Sequence, residues 1–381
     1  MPSAGPAISP TWKLSNVKSD IAHIAAAAVS LLAAGCTAAG TLNFTAPTDS
    51  PSATKAKSAN LYVASVDSGN GLVSEYPPGS GTPQRVVKEG INTPQAIGFD
   101  RGGNLYVLSK YGGPSGEGRV TVYAPGSSKP ATIIDQPITY GYPNDMALDA
   151  SGNLYVANTV PTRGNRGQYS GNVAVYSPAG KLLRTISAGI NYPERLIFDG
   201  AGNLYVSNYQ SASGLHGVVT VYGSGKTAVL RTLTLPKKDD TPIAMAFDGA
   251  GNLFVGNHPA ENYLAGCIYV YAPGQTTPAR TISASIDQPV DLAFDSSGNL
   301  YVANAGVAGG PVTEYSPNAT APSRTIDPGD RPYALALDAS GKLYVGWSIA
   351  HLVAVYPTSG TTPSRTIVKD VGTPSRLAFG P

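Results

Sequence analysis

The sequence predicts an all-β chain folded as a seven-bladed β-propeller of four-stranded antiparallel blades, and three observations carry that expectation. A proline that opens an apolar run recurs at Pro94, Pro143, Pro193, Pro242, Pro289, Pro332 and Pro374. An aromatic residue in Leu-Tyr-Val or its equivalent recurs at Tyr62, Tyr106, Tyr155, Tyr205, Phe254, Tyr301 and Tyr344, neighbours lying 43 to 50 residues apart. No helical period interrupts the series, and Gly (44) and Pro (32) are numerous enough to serve many turns.

Each repeat supplies its strands in a fixed order. In the unit opening at Pro193, Arg195 to Asp199 reads as the first strand and Gly200 to Asn203 as the reversal. Leu204 to Asn208 is the second strand; after a variable loop come Val218 to Tyr222 and Val229 to Leu233. An Asp stands six residues before the aromatic in every complete copy, from Asp100 and Tyr106 to Asp338 and Tyr344. That spacing marks a tight hairpin whose Asp side chain bonds the turn backbone, so these carboxylates read as structural rather than as ligands. The third strand repeats an aromatic at Tyr76, Tyr123, Tyr176, Tyr222, Tyr271, Tyr315 and Tyr356, which reads as core because neighbouring blades pack on both faces. Pro374 to Phe379 is a first strand with no blade after it, and Asn60 to Ala64 is a second strand with no first strand before it. Pairing them closes the ring and removes an open edge.

Three segments follow from composition: 1–35, 36–58 and the repeat region 59–381. In the first, Lys13 and Lys18 precede an apolar run from Ile21 to Ala34, too short to span a bilayer but suited to a signal-peptide core. The run ends in Leu32-Ala33-Ala34-Gly35-Cys36, which resembles the lipobox of bacterial lipoproteins and implies lipidation of Cys36. The expected address is the bacterial cell envelope, with ordinary secretion as the alternative, and residues 36–58, rich in Ala, Thr, Ser and Pro, read as a flexible tether. Cys267 is then the one remaining thiol and is expected to be a small buried hydrophobe. A formal net charge of +2 recommends neither nucleic acid nor a membrane partner beyond the lipid anchor.

Chemistry is expected on the face that carries the second-to-third strand loops and the links holding each proline. Those loops are longer in the second to fifth repeats (110–118, 159–171, 209–217, 258–266) than in the others, which suggests a one-sided binding crescent containing His258 and Tyr263. Residues just after each proline should ring the channel mouth: Asn144 with Asp145, Glu194 with Arg195, Asp291, and Arg376. These eight form the candidate ligand-binding set; equally, polar groups lining a wet channel need no ligand. No phosphate loop, nucleophile elbow or zinc spacing occurs, so no catalytic residue, metal or cofactor is assigned.

The Pro-x-x-x-Ala-Phe-Asp, Gly-Asn-Leu-Tyr-Val and Val-x-Val-Tyr series resembles the NHL-repeat propellers over about residues 57–381. That resemblance implies the fold and leaves function open among peptide binders, RNA binders, lyases and lactonases. Streptogramin lyases, which are similar, carry catalytic His residues beside the blade proline, where this chain has Gln95, Asn144, Glu194, Ile243, Val290, Tyr333 and Ser375. Lactonases of the related six-bladed type hold a channel metal, which Glu194, Asn144, Asp145 and Asp291 would have to imitate. The expected function is a tethered extracytoplasmic binding scaffold for a protein, peptide or saccharide. The alternative is a metal-dependent, lactonase-like hydrolase or a lyase at the channel mouth.

Overall fold

The computed structural model describes residues 59–381 except 68, 114–115, 136–137, 139–141, 162–168, 210–216, 238–239, 260–265 and 307–308. The described residues form seven four-stranded antiparallel sheets and no helix. Blade 1 contains β1 (Asn60–Asp67), β2 (Asn70–Tyr76) and β3 (Arg85–Val87). Blade 2 is β4 (Pro94–Phe99), β5 (Leu105–Ser109), β6 (Arg119–Tyr123) and β7 (Thr132–Ile134). Blade 3 is β8 (Tyr142–Leu148), β9 (Leu154–Pro161), β10 (Tyr169–Tyr176) and β11 (Leu182–Ile186). Blade 4 is β12 (Pro193–Phe198), β13 (Leu204–Asn208), β14 (Val218–Tyr222) and β15 (Val229–Thr234). Blade 5 is β16 (Asp240–Phe247), β17 (Leu253–Pro259), β18 (Cys267–Tyr271) and β19 (Arg280–Ile282). Blade 6 is β20 (Pro289–Phe294), β21 (Leu300–Asn304), β22 (Val312–Tyr315) and β23 (Arg324–Ile326). Blade 7 is β24 (Pro332–Leu337), β25 (Leu343–Trp347), β26 (Leu352–Tyr356) and β27 (Arg365–Ile367).

The last strand, β28 (Thr373–Gly380), pairs with β1 and completes blade 1, with Leu61 opposite Phe379 and Val63 opposite Leu377. The ring therefore closes as its ends require, one C-terminal strand beside three N-terminal ones. The hydrophobic core is divided in seven, one cluster at each seam between adjacent blades. At five seams the aromatic of a second strand meets the Phe that ends the next blade's first strand edge to face, as in Tyr155 and Phe198 (5.0 Å) and Tyr344 and Phe379 (5.1 Å).

Repeated polar residues fasten the hairpins. In blade 3, Asp149 Oδ1 accepts the amides of Ser151 and Asn153, both at 2.9 Å, and Oδ2 accepts Asn153 Nδ2 at 2.8 Å. The same pattern holds at Asp100, Asp199, Asp248 and Asp295. Asp338 keeps the two amides and loses the third bond because Lys342 replaces Asn. Four third-strand tyrosines donate to a carbonyl in the link that precedes their own blade, Tyr76 to Lys369, Tyr123 to Glu89, Tyr222 to Ala188 and Tyr315 to Ala284, and Tyr271 donates to Thr234 at the end of β15.

A steric fit explains the repeated proline. In five blades a glycine at or near the start of the third strand lies so close to the next blade's proline that a Cβ on Gly71, Gly118, Gly171, Gly217 or Gly266 would overlap the ring of Pro94, Pro143, Pro193, Pro242 or Pro289. Only the smallest residue permits that approach, and the flat ring fills the space.

Candidate functional site

Each first strand shifts register immediately after its proline, between Pro94 and Ala96, Pro143 and Asp145, Pro193 and Arg195, Pro242 and Ala244, Pro289 and Asp291, and Pro332 and Ala334. Blade 1 makes the equivalent shift where β28 passes Ala64 and Ser65. Each bulge leaves one residue outside the ladder, among them Asn144 and Glu194, and re-aims the side chain beyond it. Those next residues run around the ring as Arg376, Ala96, Asp145, Arg195, Ala244, Asp291 and Ala334. Two acids and two bases thus alternate in sign, Asp145 and Arg195 on adjacent blades and the other neighbours separated by one alanine.

All four charged residues of this ring are buried, from Asp291 at 0% exposed to Arg376 at 4%. Asp145 Oδ2 accepts the Leu196 amide at 3.0 Å, and Asp291 Oδ2 accepts the Leu335 amide at 2.8 Å. Each acid therefore ties its blade to the amide three residues after the next blade's proline. Asp291 Oδ1 also accepts the amide of Leu292 at 2.8 Å. Arg195 reaches across two blades, its Nε donating to Ile243 O at 3.0 Å and its Nη2 to Val290 O at 3.3 Å. Arg376 Nη2 lies 3.8 Å from Asp145 Oδ1. Burial is the largest influence on every member: it pushes the Asp145 carboxyl up against the pull of Arg195 and Arg376, and lifts Asp291 to about 7. It also lowers both guanidiniums, Arg376 further because Arg195 stands near it. The ring is a net of opposed charges joined to backbone, a device that holds blades 3, 4, 5, 6, 7 and 1 in register.

Glu194 stands outside this net. It is 2% exposed, its Oε2 has no hydrogen-bond partner among the described residues, and burial lifts its carboxyl to about 8, with Arg195 and Lys110 opposing the rise. Asn144, beside it on blade 3, donates through Nδ2 to Pro193 O at 2.8 Å and to Thr159 Oγ1 at 3.1 Å. On the same rim of blade 4, the rings of Tyr192 and Tyr209 lie 5.1 Å apart, and the Tyr209 amide donates to Tyr192 O at 2.9 Å. Tyr192 holds a φ of 53°, a left-handed conformation that costs a bulky residue energy.

The strands around blade 4 give this rim its shape. From the repeated aromatic, β9 continues six residues to Pro161 and β17 five to Pro259, whereas β13 ends three residues on, at Asn208. The strands of blades 3 and 5 therefore stay paired two or three residues further toward the rim than β13 does, and Glu194, Tyr192 and Tyr209 lie at this rim end of blade 4. His258, on β17 of blade 5, is 4% exposed; burial lowers its pKa, and its Nδ1 lies 3.0 Å from Pro259 O. Tyr263 and Cys36 lie outside the described residues.

A resident cation finds a poor donor set here. Both oxygens of Asp291 and one of Asp145 accept backbone amides, and burial raises the Glu194 carboxyl to about 8. Among the described residues no three of His, Cys, Asp and Glu converge as a metal site. Cys267 is buried, and burial pushes its thiol up.

One repeated feature escaped the sequence reading. The fourth strand carries an arginine in six blades, and in five of them its guanidinium lies 5.6 to 5.9 Å from the centre of the same blade's second-strand ring. Arg85, Arg280 and Arg324 reach on to carbonyls of the next blade, at Ser127, Ala319 and Pro357. The signal was present as Arg-Thr-Ile at 280–282, 324–326 and 365–367, but strand periodicity alone gives no reason for a charge there. On this turn side a cavity of about 510 Å³ lies among blades 6, 7 and 1, bordered by Phe294, Leu337, Phe379 and Ala59.

No protein-family model matches the sequence, and no curated protein does. Solved structures match the fold. A functionally unknown protein from Desulfotomaculum acetoxidans DSM 771 superposes with a TM-score of 0.65 at 13% identity, over 84% of this chain and 99% of that one. Dihydro-heme d1 dehydrogenase NirN, in complex with DHE, gives 0.58 at 13% identity over 86% and 77%. The Dos1 propeller gives 0.56 at 11% identity over 86% and 90%. At such identities the likeness is of fold alone.

Proposed function

We propose that the protein is an NHL-like propeller, exported and tethered through Cys36, that acts as a binding scaffold with its ligand seat at the rim of blade 4. One observation carries the reading: Glu194 is a buried carboxyl whose Oε2 has no hydrogen-bond partner among the described residues, and it follows Tyr192, whose ring meets that of Tyr209, by two residues. At Asp145 and Asp291, by contrast, the buried carboxylates accept backbone amides. A protonated carboxyl near a pair of tyrosines suits a polar ligand that offers both hydrogen-bond groups and a flat apolar face, such as a saccharide or a short peptide. The poor donor set for a cation favours this over a metal-dependent lactonase.

The test is a thermal-shift screen with oligosaccharides and short peptides on the wild-type chain and on Glu194→Gln, Asn144→Ala and His258→Ala. A ligand that binds the folded state raises its melting temperature, and the substitutions should abolish that rise without turnover of the compound. Metal-dependent turnover of a lactone, lost on removal of Glu194 or Asp145, would replace the scaffold reading with the hydrolase.

A further inference from the structure

The outer edges of three consecutive blades carry a surface that the other four lack. In blades 1, 2, 5, 6 and 7 the outermost strand has three residues and a proline stands two residues before it, at Pro83, Pro130, Pro278, Pro322 and Pro363. Short strands and prolines blunt an open sheet edge. Blades 3 and 4 put Leu182 and Val229 in the proline's place, and their outer strands lengthen to five and six residues. Leu182, Leu183, Val229 and Leu230 are 39%, 47%, 37% and 55% exposed, and Ile133 on blade 2, where blades 5, 6 and 7 have Thr, is 45% exposed. The other exposed large hydrophobics among the described residues, Tyr111, Ile349 and Val368, lie off this arc.

Charge follows the same three blades. The turns leading into their outer strands hold Lys129, Lys181 and Lys226, all exposed, whereas the matching segments 77–84, 272–279, 316–323 and 357–364 contain no lysine. Segments 124–134, 177–190 and 223–237 contain no Asp or Glu. These turns face the same side as the Asp-Gly-Asn hairpins. Ala59 faces that side too, since it borders the turn-side cavity with Asp295, Asp338 and Ser340.

We propose that the arc of Ile133, Leu182, Leu183, Val229 and Leu230, with Lys129, Lys181 and Lys226, is a contact surface for an anionic lipid bilayer. Lysines at the rim of an apolar patch are attracted to anionic headgroups, while the apolar side chains enter the boundary beneath them. The chain outside the described propeller supports this partner over another protein. It includes residues 36–58, the tether that would lead from the lipidated Cys36, and it joins the ring at Ala59 on the turn side, where Lys129, Lys181 and Lys226 also lie. The orientation that follows, turn side to the membrane and rim outward, rests on the tethered-scaffold reading; the affinity of the arc for lipid does not need the acyl chain.

The test uses full-length Cys36→Ala protein, which carries no acyl group, mixed with vesicles of phosphatidylcholine alone or with phosphatidylglycerol added, read by amide hydrogen exchange. Peptides covering 181–186 and 226–234 should exchange several-fold more slowly with the anionic vesicles, with no such change on neutral ones. Lys181→Glu with Lys226→Glu should lose the protection, and so should Leu183→Ser with Leu230→Ser, a pair that brings in the residue blades 6 and 7 use there. Unchanged exchange along the arc on anionic vesicles overturns the proposal. So does equal protection on neutral vesicles, or protection that appears without vesicles and grows with protein concentration, which would mean a second copy. The anchor is judged separately, by mass spectrometry of wild-type protein from a bacterial host: absence of acyl groups on Cys36 would refute the tether and leave the exchange result to decide the arc.

Discussion

The turn end and the rim end of this ring differ in how they use polar side chains. At the turn end the same residues recur blade after blade: an Asp holding its hairpin, an Asn completing it, and an Arg over the second-strand ring. At the rim end the positions after the proline hold Ala, Asp, Arg or a bulged Glu, and no two neighbouring blades repeat a side chain. Repetition shows what the fold needs everywhere. Departure from it shows where one blade does something its neighbours do not, and Glu194 is the largest such departure, because its buried oxygen joins no seam.

Removing residues 373–381 breaks the comparison at its root, since both ends depend on a closed ring. Without β28 the inner edge of β1 is open, and the chain should lose its cooperative melting transition and aggregate, as read by calorimetry and size-exclusion chromatography. A truncated chain as stable as the whole one would rule out this closure.

Within the ring, Asp145→Ala should be the most damaging single change. It leaves the Leu196 amide and Arg376 facing a buried space without their carboxylate, a loss of about 3 to 5 kcal/mol by denaturant unfolding. If Asp145 were instead a ligand residue on a wet channel, stability would barely move while binding failed. Gly118→Ala should cost less, about 1 to 3 kcal/mol, because its Cβ overlaps the Pro143 ring and the seam must shift. The same change at Gly126, where an added Cβ meets nothing but φ is +74°, separates strain of the backbone from crowding of the seam.

The smallest effect is the most specific to the rim of blade 4. Burial raises Glu194 from 4.5 to about 8, so the folded state keeps a proton that the unfolded chain gives up. Stability from that bound proton is complete below pH 4.5 and is lost as pH rises through about 8. Glu194→Gln should therefore match wild type in acid and exceed it in alkali, by on the order of 1 to 2 kcal/mol once water reaching the rim is allowed for. Equal melting temperatures of the two proteins across that range would show that Glu194 ionises freely.

Much of this was legible in the sequence because strand periodicity and turn chemistry are local. The six Asp-to-aromatic hairpins, the tyrosine core positions and the closure of Pro374–Phe379 on Asn60–Ala64 need only short-range pattern and the demand that edges be paired. The ring of residues after each proline was legible as a position but not as an environment. Whether Asp291 meets water or the Leu335 amide depends on a bulge and on a neighbour 44 residues away, which no local pattern encodes. The extent of the strands was hidden for a related reason. Loop lengths suggested a crescent over blades 2 to 5, and the structure takes residues 159–161, 169–171 and 258–259 of those loops into β9, β10 and β17, a pairing set by cross-strand partners that no local pattern encodes.

The central claim, that the rim above blade 4 binds ligand while the turn end of the channel serves the fold, is tested most directly by crystals of residues 37–381 soaked with small saccharides and short peptides. Density should appear between the β9–β10 and β17–β18 connections, within hydrogen-bond distance of Glu194 Oε2, and should be absent in Glu194→Gln crystals soaked the same way. Density confined to the turn-side cavity bordered by Phe294, Leu337 and Phe379, and unchanged by that substitution, would contradict the claim.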